Sequence, residues 1–325
     1  MTHPAPGFPR VAAYSSIRGN GAPLVSADGT LDMARCEGLA RYPLVTLDVN
    51  GVLNRPDIVP ALRRFNPEIR VAGYLLMTHW YLPATFAPAA SDVSFNAVWH
   101  RAIARTSGFV PDAPGGYEVA WHQEFTADAL ADLVVYHAAS SRLFDSLFMV
   151  YCSPRLDWVS ATHPAFTAEN DVLRLKHFRK LVQRLRAARG RDFSLYGNGT
   201  GADLIGLDGT MREGFVGVLT SAGQAMTQAP GDWLKSEGGA DAGLARYTLA
   251  TACMTGAYAA PGGNRTWAEV HESRLWQPEY SLRLGEPTGP PVKLAGSEWW
   301  VRGFERGTVS VNHATREGVF LVRAS

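Results

Sequence analysis

Short apolar runs alternate with amphipathic segments over most of the chain. The clearest amphipathic segment, Asp171–Arg189, has apolar side chains at three- and four-residue spacing and predicts a helix. Further helices are predicted at 32–39, 57–65, 94–105, 127–139 and 241–254. The apolar runs predict buried strands at 44–48, 70–77, 117–122, 145–152, 193–196, 204–215 and 257–260.

Strands that alternate with helices are typical of a parallel α/β fold, and the number of units favours a (β/α)8 TIM barrel. We assign the barrel to residues 41–290, with an irregular region around strand seven, for which no convincing run exists before residue 257. Residues 1–40 are rich in Pro, Gly, Ala and Ser and predict an irregular arm. Residues 291–325 alternate with a period of two and predict a small antiparallel β appendage packed on the barrel.

The composition is that of a folded globular protein, with 46% hydrophobic and 19% charged residues in 325. A net charge of +1, without a basic run, gives no reason to expect nucleic acid or a membrane surface as a partner. The three cysteines lack metal-binding spacing, and neither a signal peptide nor a membrane span is visible. We therefore expect a soluble protein, cytoplasmic as written or secreted if a signal was removed, with no metal and no cofactor.

Acidic side chains recur where the predicted strands end. Asp48, Glu124 and Glu213 each fall at or just after a strand, and the carboxyl ends of barrel strands converge on one mouth. Two carboxylates, one donating a proton to the leaving oxygen and one activating water or attacking carbon, are what glycoside hydrolysis requires. We therefore predict Glu213 as the general acid, with Glu124 or Asp48 as its partner.

Polar and aromatic side chains in the predicted loops complete the candidate site. Rings with a polar handle suit the apolar faces of sugars, and the tryptophans cluster on the predicted mouth. The predicted substrate-binding residues are Asp145, Asn198, Asp208, Glu279, Trp80, Tyr81, Trp121, Trp158, Trp276, His79 and His122. The loop histidines also leave open a metal-assisted hydrolase, although no metal-binding motif supports it.

Several motifs resemble a known group of proteins. The stretches 207–213, 196–198, 276–287 and 301–312 are similar to those of the hypothetical glycoside-hydrolase-like TIM-barrel families, most closely the one numbered 15. The likeness extends over roughly residues 44 to 315. It implies a barrel related to α-galactosidase-like proteins that acts on a polysaccharide or oligosaccharide.

The resemblance also implies where the catalytic acids lie. In such barrels the last residue of a strand-four motif supplies a nucleophilic Asp, and a strand-six acid protonates the leaving group. Here strand four ends in Val150, and strand three offers Glu124 where these families have Asp. Either the second acid has moved, to Glu124 or Asp48, or the enzyme inverts with a different base, or the protein is a carbohydrate-binding barrel without catalysis.

Overall fold

The protein folds into a parallel barrel with a second, antiparallel sheet at its C-terminal end. The computed structural model describes residues 7–14, 24–80, 88–105, 109–112, 116–154, 166–199, 202–212, 226, 228–236, 241–261 and 276–323. The helices in the described part are α1 Met33–Ala40, α2 Val49–Asn54, α3 Ile58–Phe65, α4 Phe95–Arg105, α5 Glu124–Ser140, α6 Ala168–Arg189 and α7 Ala242–Thr255.

Eight strands, numbered with all others in chain order, form the barrel. They are β1 Ala12–Tyr14, β2 Leu44–Asp48, β3 Arg70–Leu76, β7 Ser146–Val150, β8 Ser194–Gly197, β9 Gly209–Arg212, β10 Trp233–Lys235 and β11 Tyr258–Ala260. Each strand pairs in parallel with the next in this order. A parallel bridge between Val11 and Ala259 connects the last strand to the first. The predicted (β/α)8 barrel is confirmed.

The strand register gives the barrel its internal layers. The paired residues can be followed from Leu44 of β2, strand by strand, once around the barrel. This path returns to β2 at position 52, so the register shifts by eight residues. With eight strands and this shift, inward-facing residues of alternate strands lie at one height, four to a layer. The middle layers are Thr46, Phe148, Met211 and Ala260, then Ala12, Ala72, Tyr196 and Trp233.

These layers are packed as a solid plug. Trp233 contacts the rings of Phe148, Tyr196 and Tyr258, with centroids 5.1 to 5.8 Å apart. A separate and larger apolar core lies between the outer faces of the strands and the helices. The filled interior leaves the carboxyl ends of the strands as the end of the barrel at which side chains can meet a ligand.

Two smaller sheets accompany the barrel. An antiparallel sheet follows β3 and contains β4 His79–Trp80, β5 Phe109–Asp112 and β6 Gly116–Val119. The predicted C-terminal appendage is confirmed as an antiparallel sheet of β12 Val292–Lys293, β13 Trp299–Phe304, β14 Gly307–Asn312 and β15 Glu317–Val322. It packs on α7, where Arg302 donates hydrogen bonds to the carbonyls of Cys253 and Met254 at 2.9 and 2.8 Å.

Three strand predictions need correction. Residues 12–14, predicted within the irregular arm, form β1, and Trp233–Lys235 forms the missing seventh strand. Both have three residues, too few for a recognisable period, and both depend on neighbouring strands for their pairing. The run 117–122 is not a barrel strand, because the strand that overlaps it, Gly116–Val119, pairs antiparallel with β4 and β5. An apolar period of two in the sequence does not distinguish a parallel barrel strand from a strand of a separate antiparallel sheet.

Candidate functional site

Asp48 lies at the carboxyl end of β2, in the highest inward-facing layer that the structure describes. Its Oδ1 accepts a hydrogen bond from the Gly51 backbone N–H at 2.7 Å and so caps α2. Burial of the carboxyl group raises the pKa of Asp48 to about 6, against the opposing effect of the Gly51 and Asn50 N–H groups. A carboxyl group with such a pKa is half protonated near pH 6, where it can donate a proton.

Val150 occupies the same layer on β7, the fourth barrel strand. It is buried, and the next residue, Tyr151, has a φ of 59°. Asn198, after β8, stabilises this turn: its Oδ1 accepts from the Tyr151 N–H at 2.7 Å, and its carbonyl accepts from the Cys152 N–H at 2.8 Å. Asn198 is thus at the mouth, but its Oδ1 is engaged by the backbone.

A polar layer lies directly beneath Asp48 and Val150. The register assigns to it Tyr14, Tyr74, Asn198 and Lys235. The Nζ of Lys235 lies 4.8 Å from the ring centroid of Tyr14, and the rings of Tyr14 and Tyr74 are 5.8 Å apart. Lys235 is 0% exposed. Our sequence interpretation missed Lys235 and Tyr14, because each ends a three-residue strand, and the only available signal was the alternation of Trp-Leu-Lys.

Trp121 and His122 lie between β3 and the outer helices. Trp121 is fully buried, donates its Nε1–H to the Met77 carbonyl at 2.7 Å and packs on Phe178. A guanidinium nitrogen of Arg174 lies 3.3 Å from Nδ1 of His122. Burial, followed by the charges of Arg174 and His177, lowers the pKa of His122 to about 4. The imidazole of His122 is therefore neutral. Trp121, by contrast, is part of the buried core.

Glu124 is not at a barrel strand end. It is the first residue of α5, and its side chain is exposed. The predicted strand before it belongs to the small antiparallel sheet, so the physical basis for placing Glu124 beside the other acids is absent.

Two predicted substrate-binding acids lie at the amino ends of their strands, opposite the mouth. Asp145 precedes β7, where its Oδ2 accepts from the Val71 N–H at 2.8 Å and pairs with Arg63 at 3.0 Å. Asp208 precedes β9, which begins at Gly209 rather than at residue 204 as predicted. Its Oδ2 accepts from the Leu195 N–H and from Arg186, both at 2.6 Å. Both carboxylates brace neighbouring strands.

Glu279 and Trp276 lie outside the barrel. Glu279 accepts a hydrogen bond from Arg246 of α7 at 2.8 Å. Trp276 packs edge-on against Tyr42, two residues before β2, with centroids 5.1 Å apart. These contacts attach the chain after the barrel to its outer surface.

The remaining predicted residues lie outside the described part of the chain. They are Glu213, Tyr81, Trp158 and the side chains of His79 and Trp80. Among the residues that the structure does describe, no three His, Cys, Asp or Glu side chains cluster as a metal site would require. None of the described helices combines the length and apolar character needed to cross a membrane.

Comparison with solved structures relates this barrel to glycoside hydrolases. The GH36 α-galactosidase AgaA of Geobacillus stearothermophilus superposes with a TM-score of 0.50 at 10% identity, over 95% of this chain and 48% of that enzyme. A complex of an AgaA variant with stachyose gives the same TM-score over 94% and 48%. The α-galactosidase TtGalA of Thermus thermophilus, at 14% identity, gives 0.48 over 94% and 67%.

The chain spans about half the length of AgaA. No family model and no curated protein matches the sequence. At these identities the similarity describes the fold alone. In fold, the protein is a (β/α)8 barrel similar to the barrels of the GH36 α-galactosidases.

Proposed function

We propose that the protein is a glycosidase that cleaves glycosidic bonds in an oligosaccharide or polysaccharide by carboxylate acid/base catalysis. The observation that carries the proposal is Asp48, a strand-end carboxyl group in the highest described layer of a glycoside-hydrolase-like barrel, with its pKa raised to about 6. Perturbed carboxyl groups at barrel mouths are typical of catalytic acids.

Glu213 is the proposed partner. It follows Arg212, the last residue of β9, in the sequence. β9 lies across the barrel from β2, which ends in Asp48. In this proposal Glu213 acts on the side of the substrate opposite Asp48.

We assign the role of proton donor to Asp48, because burial raises its pKa to about 6. In its protonated form, Asp48 donates its proton to the glycosidic oxygen as the bond to the anomeric carbon breaks. Glu213 accepts a proton from the water that attacks this carbon from the other side. This exchanges the roles that the sequence predicted for the two acids. With Val150 in place of a strand-four nucleophile, the scheme is an inverting one, which needs carboxyl groups roughly 6.5–9.5 Å apart.

The test compares Asp48→Asn with the wild type on aryl glycosides, α-galactosides included, and on natural oligosaccharides. An acid catalyst matters most when the leaving group is poor. We expect kcat on oligosaccharides to fall about 10²–10⁴-fold, with a smaller loss on nitrophenyl glycosides. The anomeric configuration of the first product, followed by NMR, should be inverted.

Asp145→Asn is the matched control, because Asp145 is a strand-associated acid at the opposite end of the barrel. Its turnover should equal that of the wild type. Equal turnover of the wild type and Asp48→Asn on every substrate would refute the role of Asp48.

Val150 favours a second candidate function, carbohydrate binding without catalysis. A buried valine stands where these barrels carry their nucleophile, and it cannot attack or accept a proton. This candidate predicts saturable oligosaccharide binding by calorimetry with no new reducing ends after days of incubation. Any turnover that depends on Asp48 would exclude it.

A further inference from the structure

Tyr151 follows the last residue of β7 in a backbone conformation that few side chains adopt. Its φ is 59°, in the left-handed region, which is strained for a large residue. Glycine adopts this region without the steric cost. Strain of this kind persists only where the surrounding structure imposes it, and it concentrates at functional sites.

Polar groups after the two neighbouring strands hold Tyr151 in this conformation. Asn198, after β8, accepts the Tyr151 N–H on its Oδ1 at 2.7 Å, and the hydroxyl of Thr78, after β3, donates to the Tyr151 carbonyl. Asn198 is 5% exposed and Thr78 is 0% exposed. A Cβ at Gly199 would lie 2.3 Å from the hydroxyl oxygen of Ser153, so the chain after β8 packs closely on this turn. The turn is therefore fixed from both sides.

The left-handed turn changes the direction of the Tyr151 side chain. Along β7, Leu147 and Met149 pack in the outer core, whereas Phe148 and Val150 pack in the barrel interior. Strict alternation would direct Tyr151 outwards, towards the helices. Its side chain packs instead on the interior cluster, directly after Val150. Two consecutive residues at this strand end therefore face the inside of the barrel.

The Tyr151 side chain also keeps part of its surface exposed. In the described part of the chain, the partly buried residues that pack on the interior cluster are Tyr74, Leu76 and Tyr151. Tyr151 lies beyond the carboxyl end of β7, at the mouth of the barrel. A ring that packs on the plug and remains partly open is accessible to a ligand in the mouth. Tyrosine combines an apolar ring with a polar tip, which suits contact with a sugar.

We propose that Tyr151 is a substrate-binding residue whose ring contacts the sugar on the strand-four side of the mouth. This inference rests on the proposed carbohydrate-directed function. Val150 offers this side of the mouth no group that could bind a hydroxyl, and the strained turn brings an aromatic ring there. The strain is retained because a relaxed strand end would direct the ring away from the substrate.

The first experiment measures kcat and KM of Tyr151→Leu and Tyr151→Phe on the nitrophenyl glycosides and oligosaccharides used for Asp48→Asn. Leucine keeps an apolar side chain on the plug but has no flat ring, whereas phenylalanine keeps the ring. We expect Tyr151→Leu to raise KM about tenfold with little change in kcat, and Tyr151→Phe to stay within about threefold of the wild type. If the wild type binds these oligosaccharides without turnover, calorimetry measures the same ratio as Kd. Equal values for Tyr151→Leu and the wild type would overturn the inference.

The second experiment tests the strain without reference to activity. Thermal unfolding compares Tyr151→Gly with Tyr151→Ala, since both lack the ring and only glycine adopts the left-handed region freely. We expect the glycine variant to have a Tm about 2–4 °C higher. Equal Tm values would show a relaxed turn and would overturn the argument for the position of the ring.

Arg316 is the matched control site for this comparison. It has a φ of 58° and is exposed in the turn between β14 and β15 of the C-terminal sheet. Arg316→Gly should have a higher Tm than Arg316→Ala by a similar margin. Neither variant should change KM, because this turn is not part of the barrel mouth.

The two experiments separate the inference from the function on which it rests. Turnover by the wild type, with an unchanged KM in Tyr151→Leu, would refute the role of Tyr151 and leave the glycosidase standing. A higher Tm for Tyr151→Gly than for Tyr151→Ala, with neither binding nor turnover of any sugar by the wild type, would refute both the carbohydrate function and the role of the ring.

Discussion

At the scale of single residues, position relative to the strand ends separates the candidate acids. Asp48 is at the carboxyl end of its strand, where burial raises its pKa to about 6. Asp145 and Asp208 are at amino ends, and each accepts a backbone N–H and pairs with an arginine. The first arrangement costs stability when the group ionises, whereas the second gives each carboxylate a backbone and an arginine partner. An unfavourable ionisation of this kind is what a catalytic acid needs.

The raised pKa predicts how stability depends on pH. Asp48 binds its proton more tightly in the folded protein than in the unfolded chain. Its contribution to the free energy of unfolding is therefore complete below about pH 3.8 and is lost as the pH rises through about 6. Asp48→Asn keeps the helix cap and removes the ionisation. We expect it to be more stable than the wild type at pH 8, by up to about 2–3 kcal/mol, and nearly equal at pH 4.

Chemical denaturation at several pH values measures this difference. The control is Asp241→Asn, since Asp241 caps α7 by accepting from the Leu244 N–H but is exposed. Its free-energy difference from the wild type should not change with pH over the same window. A constant difference for Asp48→Asn would contradict the raised pKa.

At the scale of elements, the candidate site depends on how closely β9 and β10 approach one another. Gly209 is the first residue of β9, and Gly231 lies two residues before β10. A Cβ at position 209 would lie 1.9 Å from the Gly231 carbonyl. Gly231 has a φ of 100°, in the region that favours glycine. These two glycines allow the close pairing of β9 with β10, in which Met211 pairs with Trp233 and Arg212 with Leu234.

We predict that Gly209→Ala destabilises the protein by about 1–3 kcal/mol or more, because the obstacle is backbone that cannot move without separating the strands. Thermal unfolding measures the effect. Gly243→Ala is the control: it lies in α7, where the nearest atom to a new Cβ is a side-chain oxygen at 3.3 Å. It should leave Tm unchanged or slightly raised, since alanine favours helix. Equal stabilities of the two variants would contradict the close approach.

At the scale of the whole molecule, the C-terminal sheet and the barrel share an apolar interface on α7. A Cβ at Gly318 of β15 would lie 2.6 Å from the Arg246 carbonyl and 2.8 Å from the Cβ of Ala250. Arg302 of β13 donates to carbonyls near the end of the same helix. Val309 and Val311 of β14 belong to the core that also covers the barrel strands. A sheet attached in this way is expected to unfold together with the barrel.

The prediction is that Gly318→Ala lowers the midpoint of one shared unfolding transition. Hydrogen exchange followed by mass spectrometry should report the same loss of protection in peptides from β13–β15 and from β2–β3. Gly289→Ala, where a new Cβ has no atom within 4 Å, is the control and should leave exchange unchanged. Loss of protection confined to the C-terminal peptides would indicate a sheet that unfolds by itself.

Much of the architecture could be predicted from the sequence because it depends on local patterns. Strands of four to seven residues, such as 44–48 and 70–76, carry a recognisable apolar run, and α6 carries a helical period. The alternation of these elements is sufficient to indicate a (β/α)8 barrel. The position of Asp48 at the end of its run was also visible, because a strand end is a local feature.

The tertiary structure decided what depends on residues far apart in the chain. β1 and β10 are three residues each and exist as strands because closure of the barrel supplies partners on both sides. The shift of eight residues decides that Asp48 and Val150 share a layer, and that Lys235 lies in the layer below. Such grouping arises from the register of eight strands together, and no single stretch of sequence contains it.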